Sequence, residues 1–180
     1  LLSLSAFACH QRAGEITYRY LGGYTYEITI TTYSIPLMPD APVDRCSLTV
    51  FFGTGYSVEV CRNNIDPLYP TATKDPGDHT CGDKIFICPN AALGEWSIFS
   101  ADLKMKKNVY KVTYTYPGPG YYRISITDPY RDFKIANLED NISFTLQDTL
   151  LINPFLQPNN SPVFKNLPFA RACQGQHFIL

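Results

Sequence analysis

The chain has 180 residues, 17% of them charged, and a formal net charge of -1, so it carries no strong field to hold nucleic acid or an anionic membrane surface. Aromatic residues make up 14%, with 13 tyrosines and 11 phenylalanines, a composition that favours sheet over helix and argues against disorder. The length suits one large domain, or one domain and part of another.

The first residues, LLSLSAFA, form an apolar run ending in Ala6-Phe7-Ala8, as at the end of a secretory signal peptide without its charged start. Residues 1–8 are read as that remnant, against the competing reading of a buried first strand. Cleavage there would expose Cys9, but Ala6 and Phe7 do not match the small aliphatic residues expected before a lipidated cysteine. No later run is long or apolar enough to span a bilayer, so no transmembrane segment is expected.

Six cysteines, Cys9, Cys46, Cys61, Cys81, Cys88 and Cys173, suit an oxidising compartment. Spacing does not fix their connectivity. The local bridges expected are Cys46 with Cys61, which flank one hairpin, and Cys81 with Cys88, which close GDKIFI. The absence of any Cys-x2-Cys pair argues against zinc.

Gly14 to Ser34 reads as a first hairpin. Ile16, Tyr18 and Tyr20 share one face, Tyr24, Tyr26, Ile28 and Ile30 continue it, and Gly22-Gly23 supplies the positive φ of a tight turn. Glu27, Thr29 and Thr31 are expected to face water. Pro36, Pro39 and Pro42 mark a loop or edge crossing. A second hairpin, Cys46 to Cys61, turns at Gly53-Thr54-Gly55 and is followed by a long Pro, Asp and Asn-rich connection from Arg62 to Asp78. Lys84 to Ile87 is a short strand, and Gly94 to Leu103 holds Trp96, with Ile98 and Leu103 as expected core neighbours. Lys104, Lys106 and Lys107 read as a small solvated basic loop.

Asn108 to Pro129 is the strongest pattern in the chain. Tyr110, Val112, Tyr114 and Tyr116 alternate with Lys111, Thr113 and Thr115; after Pro117-Gly118-Pro119-Gly120, Tyr122, Ile124 and Ile126 alternate with Arg123, Ser125 and Thr127. Period two on both sides of a Pro/Gly tetrapeptide reads as a central hairpin, one face of which must pack on a second layer. Asn141 to Asn153 is the last strand, and Pro154 to Pro162 an interdomain connection. The expected fold is therefore all-β, a sandwich of two antiparallel sheets over residues 12–155, with Tyr18, Tyr26, Ile28, Val112, Tyr114, Ile124 and Phe144 among its interior residues. Residues 156–180 are the linker and the truncated start of a second module.

Signals for chemistry are sparse. His10, His79 and His177 are scattered, and no H-E-x-x-H pattern, Gly-rich phosphate loop or nucleophile elbow is present. Arg62, Asn63, Asn64 and Asp66 are polar but lack a base and an orienting group at a defensible spacing. Asp128, Asp132, Glu139 and Asp140 could hold calcium at the junction, although the spacing is not that of an EF-hand and solvated turns account for them. Asn141-Ile142-Ser143 and Asn159-Asn160-Ser161 meet the N-glycosylation pattern. No catalytic residue, metal ligand or cofactor is assigned.

AFACHQRAGEITYRYLGGYTYEITITTY, VYKVTYTYPGPGYYRISITDPYRD and FTLQDTLLINPFLQPNNSPVFKNLPFARACQGQHF resemble the N-terminal region of large secreted Bacteroidetes surface proteins associated with gliding motility. His10 and Gly14-Glu15-Ile16 match the opening pattern, and Ser161-Pro162-Val163 and Cys173-x-Gly175-Gln176 match the start of a following module; Gln11-Arg12-Ala13 and the residues after Tyr33 depart from it. The resemblance implies immunoglobulin-like or cadherin-like modules, with residues 12–155 an immunoglobulin-like sandwich and a cadherin-like domain beginning in 156–180. It implies a noncatalytic structural or adhesion module of an exported protein, whose partners are neighbouring domains of the same protein, cell-surface proteins or glycans. A carbohydrate-binding module and an accessory domain of a secreted enzyme are the alternative classes.

Overall fold

The computed structural model describes residues 10–35, 45–63, 88, 94–100, 103–129 and 142–164. Among the described residues there are eight strands: β1 His10–Gly22, β2 Thr25–Ile35, β3 Ser47–Phe51, β4 Ser57–Cys61, β5 Glu95–Ser100, β6 Leu103–Thr115, β7 Gly120–Asp128 and β8 Phe144–Ile152. They form two four-stranded sheets, ordered β1-β2-β6-β5 and β4-β3-β7-β8, and the strand pairings among the described residues are antiparallel. This is the expected all-β, two-sheet architecture. The expected strand Lys84 to Ile87 and residues 1–8 lie outside the described residues, as do the side chains of Trp96, Ile98 and Leu103.

Alternation along the strands builds the core. Ile16, Tyr18, Tyr26, Ile28, Ile30 and Tyr110 from the first sheet, with Tyr116 just beyond the end of β6, meet Leu48, Val50, Val60, Tyr122, Ile124, Ile126, Phe144, Leu150 and Ile152 from the second, with Val112 and Tyr114 partly buried against them. Lys111, Thr113, Thr115, Arg123 and Thr127 are exposed on the outer faces. Thr31 departs from the expected alternation: it is buried, as are Thr32, Tyr33 and Ser34 beside it, so this end of β2 is covered on both faces.

The central pattern is not a hairpin. β6 pairs with β2 and β5, whereas β7 pairs with β8 and β3, so Pro117 to Gly120 carries the chain from one sheet to the other. The physical reason lies in the tetrapeptide. Proline fixes φ near −65°, which a two-residue hairpin turn cannot use, and neither Gly118 nor Gly120 adopts a positive φ. Two hydrogen bonds fix the crossing: Tyr116 N donates to Tyr24 O at 3.0 Å, and the Tyr122 hydroxyl donates back to Gly118 O at 2.9 Å.

The other turns follow their glycines. The first hairpin closes one residue later than expected, with Gly22 opposite Thr25 and Gly23-Tyr24 in the turn, because the register shifts between Tyr20 and Gly22. In the β3–β4 turn Gly53 has φ 76°, and a Cβ there would lie 2.6 Å from Arg123 N, so no side chain fits. At the seam between β1 and β8, a Cβ on Gly14 would lie 2.6 Å from Leu146 Cδ1. The two sheets also join where β4 ends: Arg62 forms an antiparallel bridge with Tyr110, and Asn63 N donates to Val109 O at 2.9 Å.

The expected disulfides are corrected. Cys61 is bonded to Cys88, 27 residues away, with the Cα atoms 5.7 Å apart, and Cys46 is likewise in a disulfide. The hairpin register explains why Cys46 and Cys61 do not pair. Cys61 stands opposite Ser47, while Cys46 lies one position further, where its carbonyl accepts from Arg62 N at 2.6 Å. Cys81 lies outside the described residues.

Candidate functional site

The segment after β8 supplies the most developed surface feature. Asn153-Pro154-Phe155-Leu156 is a turn in which Leu156 N donates to Asn153 O at 3.2 Å and Phe155 N to Asn153 Oδ1 at 2.9 Å, the local chemistry expected of Asn followed by Pro. The turn sends Gln157 to Ser161 back along the free edge of β1. There Tyr18 N donates to Ser161 Oγ at 2.8 Å, Ser161 N to Tyr18 O at 3.0 Å, and Tyr20 N to Asn160 Oδ1 at 2.8 Å. Side-chain oxygens thus occupy edge donors that a further strand would otherwise take. Within the stretch read as an interdomain connection, Asn159 to Ser161 lie against the sandwich as a strap.

Between this strap and the β1–β2 turn lies a groove of about 340 Å³, lined by Tyr20, Gly23, Tyr24, Tyr26, Leu151, Ile152, Asn153, Pro154, Leu156, Gln157, Pro158 and Asn159. None of these residues is charged. Tyr26 forms the buried floor, and Tyr20 meets it edge-on with ring centroids 5.5 Å apart. Tyr24 is 37% exposed at the rim. Burial, and then the neighbouring Tyr20, push the Tyr26 hydroxyl above its ordinary range, while its hydrogen bond with the Asn159 backbone opposes the shift. The Tyr18 hydroxyl is also raised, by burial first and by Asp148 second, and accepts from Asn159 Nδ2 at 3.1 Å. Behind the floor, Tyr26 meets Tyr116, Tyr116 meets Tyr114, and Tyr114 stacks on Phe52 at 4.0 Å, so the groove rests on a continuous packed aromatic row.

A smaller cavity of about 130 Å³ lies among Arg45, Ser47, Thr49, Glu59, Thr127 and Asp128. Its polar groups are engaged with one another. Arg45 grips Asp128 through Nε–Oδ2 at 3.0 Å and Nη2–Oδ1 at 3.3 Å, and Ser47 and Thr49 both donate to Glu59. Asp128, expected in a solvated turn or as a calcium ligand, is 2% exposed and held by this guanidinium. Asp132, Glu139 and Asp140 lie outside the described residues, and among the described residues no group of three His, Cys, Asp or Glu is placed to hold a metal ion.

The remaining candidates separate. Arg62 is buried with Nη1 3.4 Å from Asn108 Oδ1, and Asn63 is exposed; Asn64 and Asp66 lie outside the described residues. The basic loop is corrected to strand: Lys106 is 3% exposed in β6, and Lys107 pairs with Glu95 at 3.8 Å. A solvated loop was the wrong expectation because these lysines continue the β6 ladder, Lys106 opposite Ser34 and Lys107 opposite Tyr33. His10 begins β1, and His79 and His177 lie outside the described residues. Of the two sequons, Asn141 lies outside the described residues, and Asn159 already spends its side-chain nitrogen on Tyr18.

Of the residues lining the groove, the sequence marks Asn159 alone, as a glycosylation acceptor and not as part of a binding site. The usable signal was Asn153-Pro154 followed by Asn159-Asn160-Ser161, a turn and a run of short polar side chains suited to satisfying an open strand edge. No helix among the described residues is long and apolar enough to cross a membrane. Comparison with protein-family models, with curated proteins and with solved structures finds no match for the chain.

Proposed function

We propose that the chain is a noncatalytic structural or adhesion module of an exported cell-surface protein, built on an immunoglobulin-like scaffold. The observation that carries export is the Cys61–Cys88 disulfide, since such bridges persist in oxidising compartments. Strand order supports the scaffold assignment. The order β1-β2-β6-β5 corresponds to the A-B-E-D sheet of immunoglobulin domains, and β3, β7 and β8 to the C-F-G sheet, with β4 added at its edge. A tyrosine near the start of the sixth core strand, bonded back to the backbone at the corner before it, recurs in that fold, and Tyr122 with Gly118 O has this arrangement. The resemblance to gliding-motility-associated surface proteins favours the same role, with neighbouring domains, cell-surface proteins or glycans as partners.

The test labels intact cells exporting the full-length protein with an antibody to the sandwich, and maps thiols in the same material. Surface labelling with Cys61 and Cys88 oxidised is expected. A protein confined to the cytoplasm, with both cysteines as thiols, overturns the proposal.

A further inference from the structure

We infer that the groove between the strap and the β1–β2 turn is a binding site for a neutral saccharide, an assignment that rests on the adhesion reading and gives that module a ligand. A sugar ring offers a weakly polar C–H face and a rim of hydroxyls, each both donor and acceptor. The groove offers the complementary chemistry. Tyr20 and Tyr24 present aromatic surface above the buried Tyr26 ring, and the electron-rich face of an aromatic ring attracts polarised C–H groups. Asn153, Gln157 and Asn159 supply planar amides at the same groove. Because Asn153 Oδ1 accepts from Phe155 N, its Nδ2 is left to donate; because Asn159 Nδ2 donates to Tyr18, its Oδ1 is left to accept. Donor and acceptor are thus fixed by internal bonds before a ligand arrives, which lowers the cost of ordering the site.

The uncharged lining decides between ligand classes. Phosphate, sulfate and carboxylate ligands call for guanidinium, ammonium or convergent backbone N–H groups, and the described lining residues carry no charge. The volume, about 340 Å³, sits at the lower end for small-molecule sites and suits one or two sugar rings in an open groove.

The experiment titrates the 180-residue chain with neutral hexasaccharides of β-1,4-glucan, β-1,4-mannan, β-1,4-xylan, chitin, β-1,3-glucan and α-1,4-glucan, and with the anionic polygalacturonate, by calorimetry. At least one neutral oligosaccharide is expected to bind saturably. Tyr24→Ala should then weaken binding about tenfold, and Gln157→Ala should weaken it several-fold. Phe51→Ser, on the outer face of β3 and two strands from β8, should leave it unchanged, with backbone amide spectra confirming that each variant folds. Saturation by no neutral sugar, preference for polygalacturonate, or affinity indifferent to Tyr24 each overturns the assignment. Since the purified chain is used, such a failure removes the saccharide site and leaves surface location to the labelling experiment.

Discussion

Tyr122 anchors the corner at which the chain leaves one sheet for the other. Its ring packs 4.4 Å from Tyr116 while its hydroxyl reaches Gly118 O, so one side chain ties both sides of the crossing. Tyr122→Phe keeps the packing and removes the bond, and should lower unfolding free energy in urea by about 1 kcal/mol. Gly53→Ala is expected to cost more, about 1–3 kcal/mol, because the position combines positive φ with the Arg123 backbone at contact distance. Tyr33 gives a pH signature. Burial, and then Glu15 and Glu95, push its hydroxyl up to about 12 from 10.0. Between those values the unfolded chain has released a proton that the folded chain retains, so the unfolded state binds fewer protons and stability falls as pH rises. This stability is fully present below pH 10.0 and is lost towards about pH 12. Tyr33→Phe should flatten that alkaline slope in denaturation curves; part of it will remain, because burial also raises Tyr116.

At the scale of elements, the strap is an edge device. β1 borders its sheet, and in an antiparallel pair alternate residues turn their backbone groups outward. Tyr18 and Tyr20 turn theirs to Ser161 and Asn160, which predicts slow hydrogen exchange at two amides of a border strand. Asn160→Ala with Ser161→Ala should speed exchange at Tyr18 and Tyr20 while Thr17 and Arg19, facing β2, stay protected; equal acceleration along β1 would show instead that the strand itself had loosened. Here the sequence was legible in one respect and silent in another. Period two in β6 and β7 correctly places Tyr110, Tyr116, Ile124 and Ile126 inside, since side-chain direction is a local property of extended chain. Which strand pairs with which is not local, and so the pattern around Pro117 to Gly120 suggests a hairpin although each flanking strand finds its partners elsewhere. The groove is non-local in the same way: Tyr24 and Gln157 are 133 positions apart and line one groove because the Asn153 turn folds the strap back.

At the scale of the whole molecule, the sheets are joined by more than their shared core. The end of β4 reaches β6 through Arg62 and Asn63, and Cys61, immediately before them, is the residue that carries the disulfide to Cys88. The bond therefore constrains the chain beside the place where the second sheet grips the first, and Cys46 and Cys88 are buried there together. Closing a loop with its ends 27 residues apart removes unfolded-state freedom equivalent to about 3.5 kcal/mol in the chain-entropy treatment. Replacing Cys61 and Cys88 together by serine should lower unfolding free energy by about 3 kcal/mol, shift the urea midpoint down and steepen the slope, because the unfolded chain without the bridge is more expanded and exposes more surface. Peptide mapping without reduction should recover Cys61 linked to Cys88 from oxidised protein. A peptide linking Cys46 to Cys61 would contradict the β3–β4 register, because Ser47, and not Cys46, stands opposite Cys61 across that hairpin.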